Sequence, residues 1–350
     1  MFLARASAIV TLLVAGACST NAAVPDRGGP KGDEGQGPSG SFGGDGEDDA
    51  TAPTSCAPPG QAAGDSATIA PEFAPAYHAF DLGTIPGIPA PLGGCVIETG
   101  DANTLLVAGR SEQSDGAIYS VKVKRDACKH IVGFEGTATK LIDAPFVDAS
   151  LVFGPNGTLI FPMWNADEDP HAWPGKLAQK TATSRTHTVI ANVKQLGNTR
   201  DQGPGGLGFV PPGLAAEGEL RAISQPEGDV LHVGYETTSD GIRVTSVEAR
   251  PTHLEGWPGG FAYVPAGSPG FAKPSMMVAE WNANVVSTYE VDEQGDPIVS
   301  TRKLFFDEFT RPWGAYFDAI TGDYLFLTWG GKEDRVFVVQ GFAVPPPGPR

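Results

Sequence analysis

Tryptophan is the residue type with the most binding chemistry to offer in this 350-residue chain, and its six copies keep a pattern. Trp164, Trp281 and Trp329 each end a short apolar run, Trp257 and Trp313 each stand just ahead of one, and Trp173 lies in the polar insertion after Trp164. An indole offers a broad apolar face and one N–H donor, which suits stacking against sugar faces, aromatic ligands or a partner's side chains. The same spacing also suits a packing wedge between repeated units, and the sequence leaves both readings open. Arg110 holds in its own segment the place that tryptophan holds elsewhere, and Arg311 lies two residues before Trp313. Both therefore join the six indoles as candidate ligand-binding residues.

Acidic and amide side chains accompany them. Asp148, Glu255 and Glu280 are the candidates for a general acid–base pair. Asp148, Asn165, Glu280 and Asn282 supply the oxygens that would hold Ca²⁺. Nothing in the spacing fixes a separation between any two of them, so each reads equally as a loop hydrogen bond or an exposed charge. The six histidines are scattered without metal-ligand spacing, although His171 shares the Trp173 insertion. No GxSxG or HExxH motif occurs. The run "GPGGLG" at 203–208 precedes a strand rather than opening a helix after one, so it is not a phosphate cradle.

These residues are placed by an internal repeat. Five segments begin at Gly94, Ser150, Gly206, Gly260 and Gly314, spaced 56, 56, 54 and 54 residues apart. Each is a short apolar run, a Gly/Pro/Asp turn, and a second apolar run ending in a polar residue or tryptophan. Alternating segments such as "GAIYSVKV", "DVLHVGYE", "NVVSTYEV" and "DRVFVVQ" follow, and period-two alternation marks a half-buried strand. A fourth strand is read in "HIVGFEG", "HTVIANV", "GIRVTSVEA" and "IVSTRKLFF". Four antiparallel strands per repeat define the blade of a β-propeller. The chain is thus expected to be all-β, a propeller of five four-stranded blades; a sixth would have to fit within residues 58–93, which is too short.

The last repeat has three strands and then only "AVPPPGPR". An outer strand from residues 77–85 is expected beside "RVFVVQ", closing the ring and covering two sheet edges. In this frame the turns after each second strand and the links between blades share one end of the ring, and all six tryptophans map to it.

Four segments are expected: a signal peptide at 1–18, a tether at 19–70, a propeller at 71–343 and a Pro-rich tail at 344–350. The tether is Gly, Pro, Ser, Ala and acidic residues with a single aromatic, Phe42, too little apolar surface to offset ordering entropy. The N-terminal "MFLARASAIVTLLVAGAC" carries one positive charge and an apolar run too short for a permanent span. Its "LLVAGAC" resembles a bacterial lipobox, which implies lipidation of Cys18 and a membrane-anchored chain. Ser19 follows in place of an aspartate retention signal, so the outer membrane of the cell envelope is expected. An ordinary cleaved secretory signal is the alternative. Cys56, Cys95 and Cys128 remain. A disulfide suits an exported chain, but three cysteines leave one over; Cys56 with Cys128 would staple the tether to the ring, and Cys95 lies in an apolar strand.

"GGFAYVP", "MMVAEWNANVVSTYEVDEQGDPIVSTR" and "TGDYLFLTWGGKEDRVFVVQGF" resemble motifs of uncharacterised secreted bacterial propeller-like proteins. The resemblance covers most of 77–343; it implies fold and export, and brings no catalytic residues with it. A net charge of −17 argues against nucleic acid as a partner. The expectation is a lipid-anchored, non-enzymatic module binding carbohydrate or protein on its Trp-rich face, with no cofactor except an optional Ca²⁺. A Ca²⁺-dependent hydrolase or lyase of sugar-like or lactone substrates, and a purely structural envelope scaffold, are the alternatives.

Overall fold

The computed structural model describes Cys56 and residues 61–164, 175–193 and 203–344. Every blade is antiparallel. Blade 1 is β4 (Leu92–Ile97), β5 (Thr104–Gly109), β6 (Ala117–Arg125) and β7 (Ile131–Asp143). Blade 2 is β8 (Val152–Gly154), β9 (Thr158–Met163), β10 (Lys176–Lys180) and β11 (Thr188–Asn192), and blade 3 is β12 (Gly203–Phe209), β13 (Leu220–Gln225), β14 (Asp229–Thr237) and β15 (Ile242–His253). Blade 4 is β16 (Pro258–Val264), β17 (Ser275–Glu280), β18 (Val285–Glu290) and β19 (Lys303–Phe309). Blade 5 opens with β20 (Pro312–Asp318), β21 (Asp323–Thr328) and β22 (Val336–Gln340).

The missing outer strand comes from the N-terminal side, as the repeat count requires. Residues His78–Gly83 (β3) pair antiparallel with β22, His78 opposite Gln340 and Asp81 opposite Phe337. The ring also takes in residues that composition had assigned to the tether. Gln61–Ala62 (β1) pairs with β3, and Ala67–Ile69 (β2) adds a fifth strand to blade 4 beside β19. Strand addition is made by backbone hydrogen bonds, so a segment with few apolar side chains can still join a sheet edge. The anchors come just after: Phe73 and Tyr77 are buried against Phe271 and Phe305. "IVSTRKLFF" is only half strand, because Val299–Thr301 forms a 3₁₀ turn before β19 begins.

Packing shows the closure independently. The buried apolar residues fall into five clusters, and each spans one pair of neighbouring blades, including one between blades 5 and 1. The second strands feed two clusters at once. Leu105 and Val107 face blade 5 while Leu106 and Ala108 face blade 2; Leu325 and Leu327 face blade 1 while Tyr324 and Phe326 face blade 4. Being buried on both faces makes them unbroken apolar runs such as "TLLVAG" and "DYLFLT" rather than alternating ones.

At the centre the five first strands meet with almost no side chain between them. A Cβ on Gly94 would lie 2.4 Å from the Ser150 backbone, and one on Gly314 would lie 2.4 Å from the Gly93 carbonyl oxygen. A Cβ on Gly260 would lie 2.8 Å from the carbonyl oxygen of Ala149. Gly260 belongs to blade 4 and Ala149 leads into blade 2, which are not neighbours, so this approach crosses the ring axis. The channel is closed at this level by backbone against backbone.

Candidate functional site

The end of the ring where first strands begin carries all five described tryptophans. Trp164, Trp281 and Trp329 follow β9, β17 and β21; Trp257 immediately precedes β16, and Trp313 is the second residue of β20. Trp173 lies outside the described residues, as do Asn165 and His171.

Four of the indoles form one cluster at the junction of blades 4 and 5. Trp257 stacks on Trp281 with ring centroids 5.9 Å apart and planes 15° from parallel. Trp281 meets Trp329 edge-on at 5.6 Å, and Trp313 lies 5.5 Å from Trp329. The Trp281 indole N–H donates to the Trp329 carbonyl oxygen at 3.2 Å, which fixes the orientation of the middle ring. Burial then sorts their roles. Trp313 is buried against Gly259, where a Cβ would come within 2.9 Å of its ring; Trp164 is buried against Gly203. Those two are wedges between blades. Trp257 is 45% exposed, the outermost plate of a stack whose lower plates are held. Its backbone sits at φ +56°, a region that costs a bulky residue of order 1–3 kcal/mol.

Exposed polar residues lie on the segments that adjoin the plate; the Trp281 and Asn282 backbone N–H groups donate to the Trp257 and Gly256 carbonyl oxygens at 3.2 and 3.0 Å. Arg311, Asn282, Asn284 and Glu255 are all exposed. Arg311 also has positive φ; its guanidinium donates to the Gly330 carbonyl oxygen, and its backbone N–H donates to Asn284 Oδ1 at 2.9 Å. Arg110 lies on blade 1 in an exposed ion pair with Asp115 at 3.1 Å. It belongs to the same end of the ring but not to the indole cluster.

The candidate acids are not a set. Glu280 is buried, and both its oxygens are engaged. Oε1 accepts from the Tyr289 hydroxyl at 2.7 Å and Arg302 Nε at 3.2 Å, and Oε2 accepts from Arg302 Nη2 at 2.6 Å. That contact pushes the Arg302 guanidinium up, and burial with the adjacent Glu280 charge pushes the Tyr289 phenol up. Asp148 is wholly buried beside Glu112, and burial pushes its carboxyl up to about 7. Glu255 stands in solvent. Among the described residues no group of three or more His, Cys, Asp or Glu is placed to hold a metal ion. Glu280, committed to Arg302 and Tyr289, is not free to join Asp148 and Asn282 around a Ca²⁺, and Asn165 of that set lies outside the described residues.

The opposite end of the ring holds a feature that the sequence reading missed. Beyond the glycine closure the first strands diverge into a blind funnel of about 680 Å³ lined by residues of all five blades. Its signal was present in the repeat frame: three residues past each repeat start stand Ile97, Phe153, Phe209, Tyr263 and Phe317. All five line the funnel. Tryptophan drew attention to the other end because it recurs where strands finish, whereas these aromatics recur inside strands and read as core.

The ring, its N-terminal closure and its two unlike ends define a five-bladed β-propeller. No known family profile matches the chain, and no curated protein matches it. Solved structures of similar fold are remote. A luciferin-regenerating enzyme is 10% identical with a TM-score of 0.45, over 80% of this chain and 92% of that one. An auxiliary nutrient binding protein from Bacteroides thetaiotaomicron is 11% identical, TM-score 0.44, over 80% and 69%. A calcium-binding regucalcin from Agrobacterium tumefaciens is 12% identical, TM-score 0.43, over 80% and 92%.

Proposed function

We propose that this chain is an exported, lipid-anchored propeller that binds carbohydrate on its tryptophan end and performs no chemistry there. One observation carries the reading: Trp257 is an exposed indole plate held over Trp281 on strained backbone, with exposed Glu255 two residues before it and exposed Asn282, Asn284 and Arg311 on the adjoining turns. A flat apolar face beside hydrogen-bonding groups matches the apolar face and hydroxyl rim of a sugar ring. Acid–base catalysis by a carboxyl pair would need a partner for Glu255, the candidate acid beside that plate, and Glu280 is held by Arg302 and Tyr289 while Asp148 is buried beside Glu112.

A glycan array tests this. The expected result is retention of a restricted set of glycans, weakened at least tenfold in Trp257→Ala while the variant keeps a single cooperative melting transition. Absence of retention, or retention indifferent to Trp257, overturns it.

Export and anchoring rest on the resemblance of "LLVAGAC" to a lipobox, and the Cys56–Cys128 disulfide suits an oxidising compartment. Cells expressing the full chain are expected to incorporate labelled palmitate into it, and to lose that label in Cys18→Ala. Equal labelling of both would remove the anchor.

A further inference from the structure

The strongest unassigned feature is the blind funnel at the end away from the tryptophans. Its floor is the glycine closure, so whatever enters cannot pass through. Just above that floor the walls are Leu151, Leu207, Phe261 and Ala315, and the mouth is the ring of Phe153, Phe209, Tyr263 and Phe317 with Ile97 completing it from blade 1. The mouth aromatics are half-buried, with one part packed and another facing the cavity.

Chemistry narrows the ligand. The lining contains no charged side chain, and only Thr99, Tyr263 and Tyr316 carry a polar side-chain atom. The Tyr263 hydroxyl is already spent, donating to the Gly295 carbonyl oxygen at 2.8 Å, so this residue presents its ring. A charged ligand would have to shed its water with no countercharge to meet it. The remaining polar groups are backbone: each first strand pairs on one side only, so its other edge faces the axis with N–H and C=O groups. An apolar, aromatic-lined cleft of this size with a few fixed backbone dipoles has the character of a small-molecule site.

We propose that this funnel binds a neutral, mainly apolar small molecule with a flat ring system, stacked among Phe153, Phe209, Tyr263 and Phe317, at a site separate from the tryptophan end. Occupation removes the half-exposed aromatic faces from water, which drives the association and gives it a negative heat-capacity change. Because nothing titratable lines the walls near neutrality, affinity is flat across pH 6–8.

The test uses the full chain and 1-aminoanthracene, a neutral ring probe whose emission reports an apolar surrounding. The expected result is saturable one-site binding, the same at pH 6 and 8, weakened at least tenfold in Phe209→Ser. Because Phe209 also packs, Ala266→Trp provides a second variant. Ala266 is exposed at the rim, so a larger side chain there obstructs the mouth without disturbing the core, and it too is expected to weaken binding with an unchanged melting temperature. Absence of saturation, or binding equal to wild type in Ala266→Trp, overturns the proposal. One further outcome also overturns it. Ala343 donates to Ser268 Oγ at 3.0 Å, in the same loop as the rim, so the chain leaves the ring beside the funnel. Binding seen only after residues 345–350 are removed would make the chain's own tail the occupant.

Discussion

A carboxyl group sealed away from water keeps its proton, and Asp148 is in that situation, fully buried beside a second carboxyl, Glu112. Desolvation is the main cause of its rise to about 7, outweighing the hydrogen bonds from the Ala149 backbone and Glu112 that act the other way. The consequence for stability has a definite sign. Between the ordinary aspartate value and about 7, the folded chain holds a proton at Asp148 that the unfolded chain has released. Stability from this group is therefore complete below about pH 4 and is lost as pH rises towards 7. Asp148→Asn keeps the shape and removes the proton exchange. Wild type is expected to lose melting temperature between pH 5 and 8 more steeply than the variant, read by calorimetry. Burial also raises Asp323 and Asp334, but they are present in both proteins, so the difference isolates Asp148 together with the Glu112 carboxyl it contacts. Parallel profiles would place the charge burden elsewhere.

Strands show what a sequence can and cannot reveal. Period, strand count and the closing partner of β22 were legible because each leaves a local mark: a turn residue, an alternation, a missing fourth strand. The second strands read as solid apolar runs for a reason the structure supplies, burial against two neighbouring blades at once. Residues 61–69 escaped notice because strand addition uses backbone groups, which composition does not report. The five described tryptophans do lie at one end, yet their division into wedge and plate was not legible. Trp313 and Trp257 stand at nearly the same repeat position, and only the close approach of Gly259 to one and the solvent around the other separate them. Glu280 looked like a free acid because Arg302, its partner, lies across a hairpin and a turn in the outer part of the blade.

The ring as a whole has two ends because its axis is shut, and the shutter is made of missing side chains. Glycine recurs at the start of the first strands not for unusual dihedral angles: Gly94, Gly260 and Gly314 all lie outside the positive-φ region. It recurs because at four of the five converging strands, at Gly94, Gly206, Gly260 and Gly314, there is no room for a Cβ, and only blade 2 carries one there, on Ser150. Gly260 touches three blades at once, since the three atoms nearest its virtual Cβ are main-chain atoms, the Ala315 nitrogen at 2.7 Å and the Ala149 and Trp313 oxygens at 2.8 and 2.9 Å. No rotamer can relieve contacts with backbone, so Gly260→Ala must push blades 2, 4 and 5 apart. The expected cost is about 1–3 kcal/mol, as for other overpacked sites, and a fall of several degrees in melting temperature. Because Gly260 sits under the funnel floor, the same substitution is expected to weaken 1-aminoanthracene binding while leaving the Trp257 plate in place. An unchanged melting temperature would mean that the axis has slack, and then the two ends would be parts of one channel rather than two separate sites.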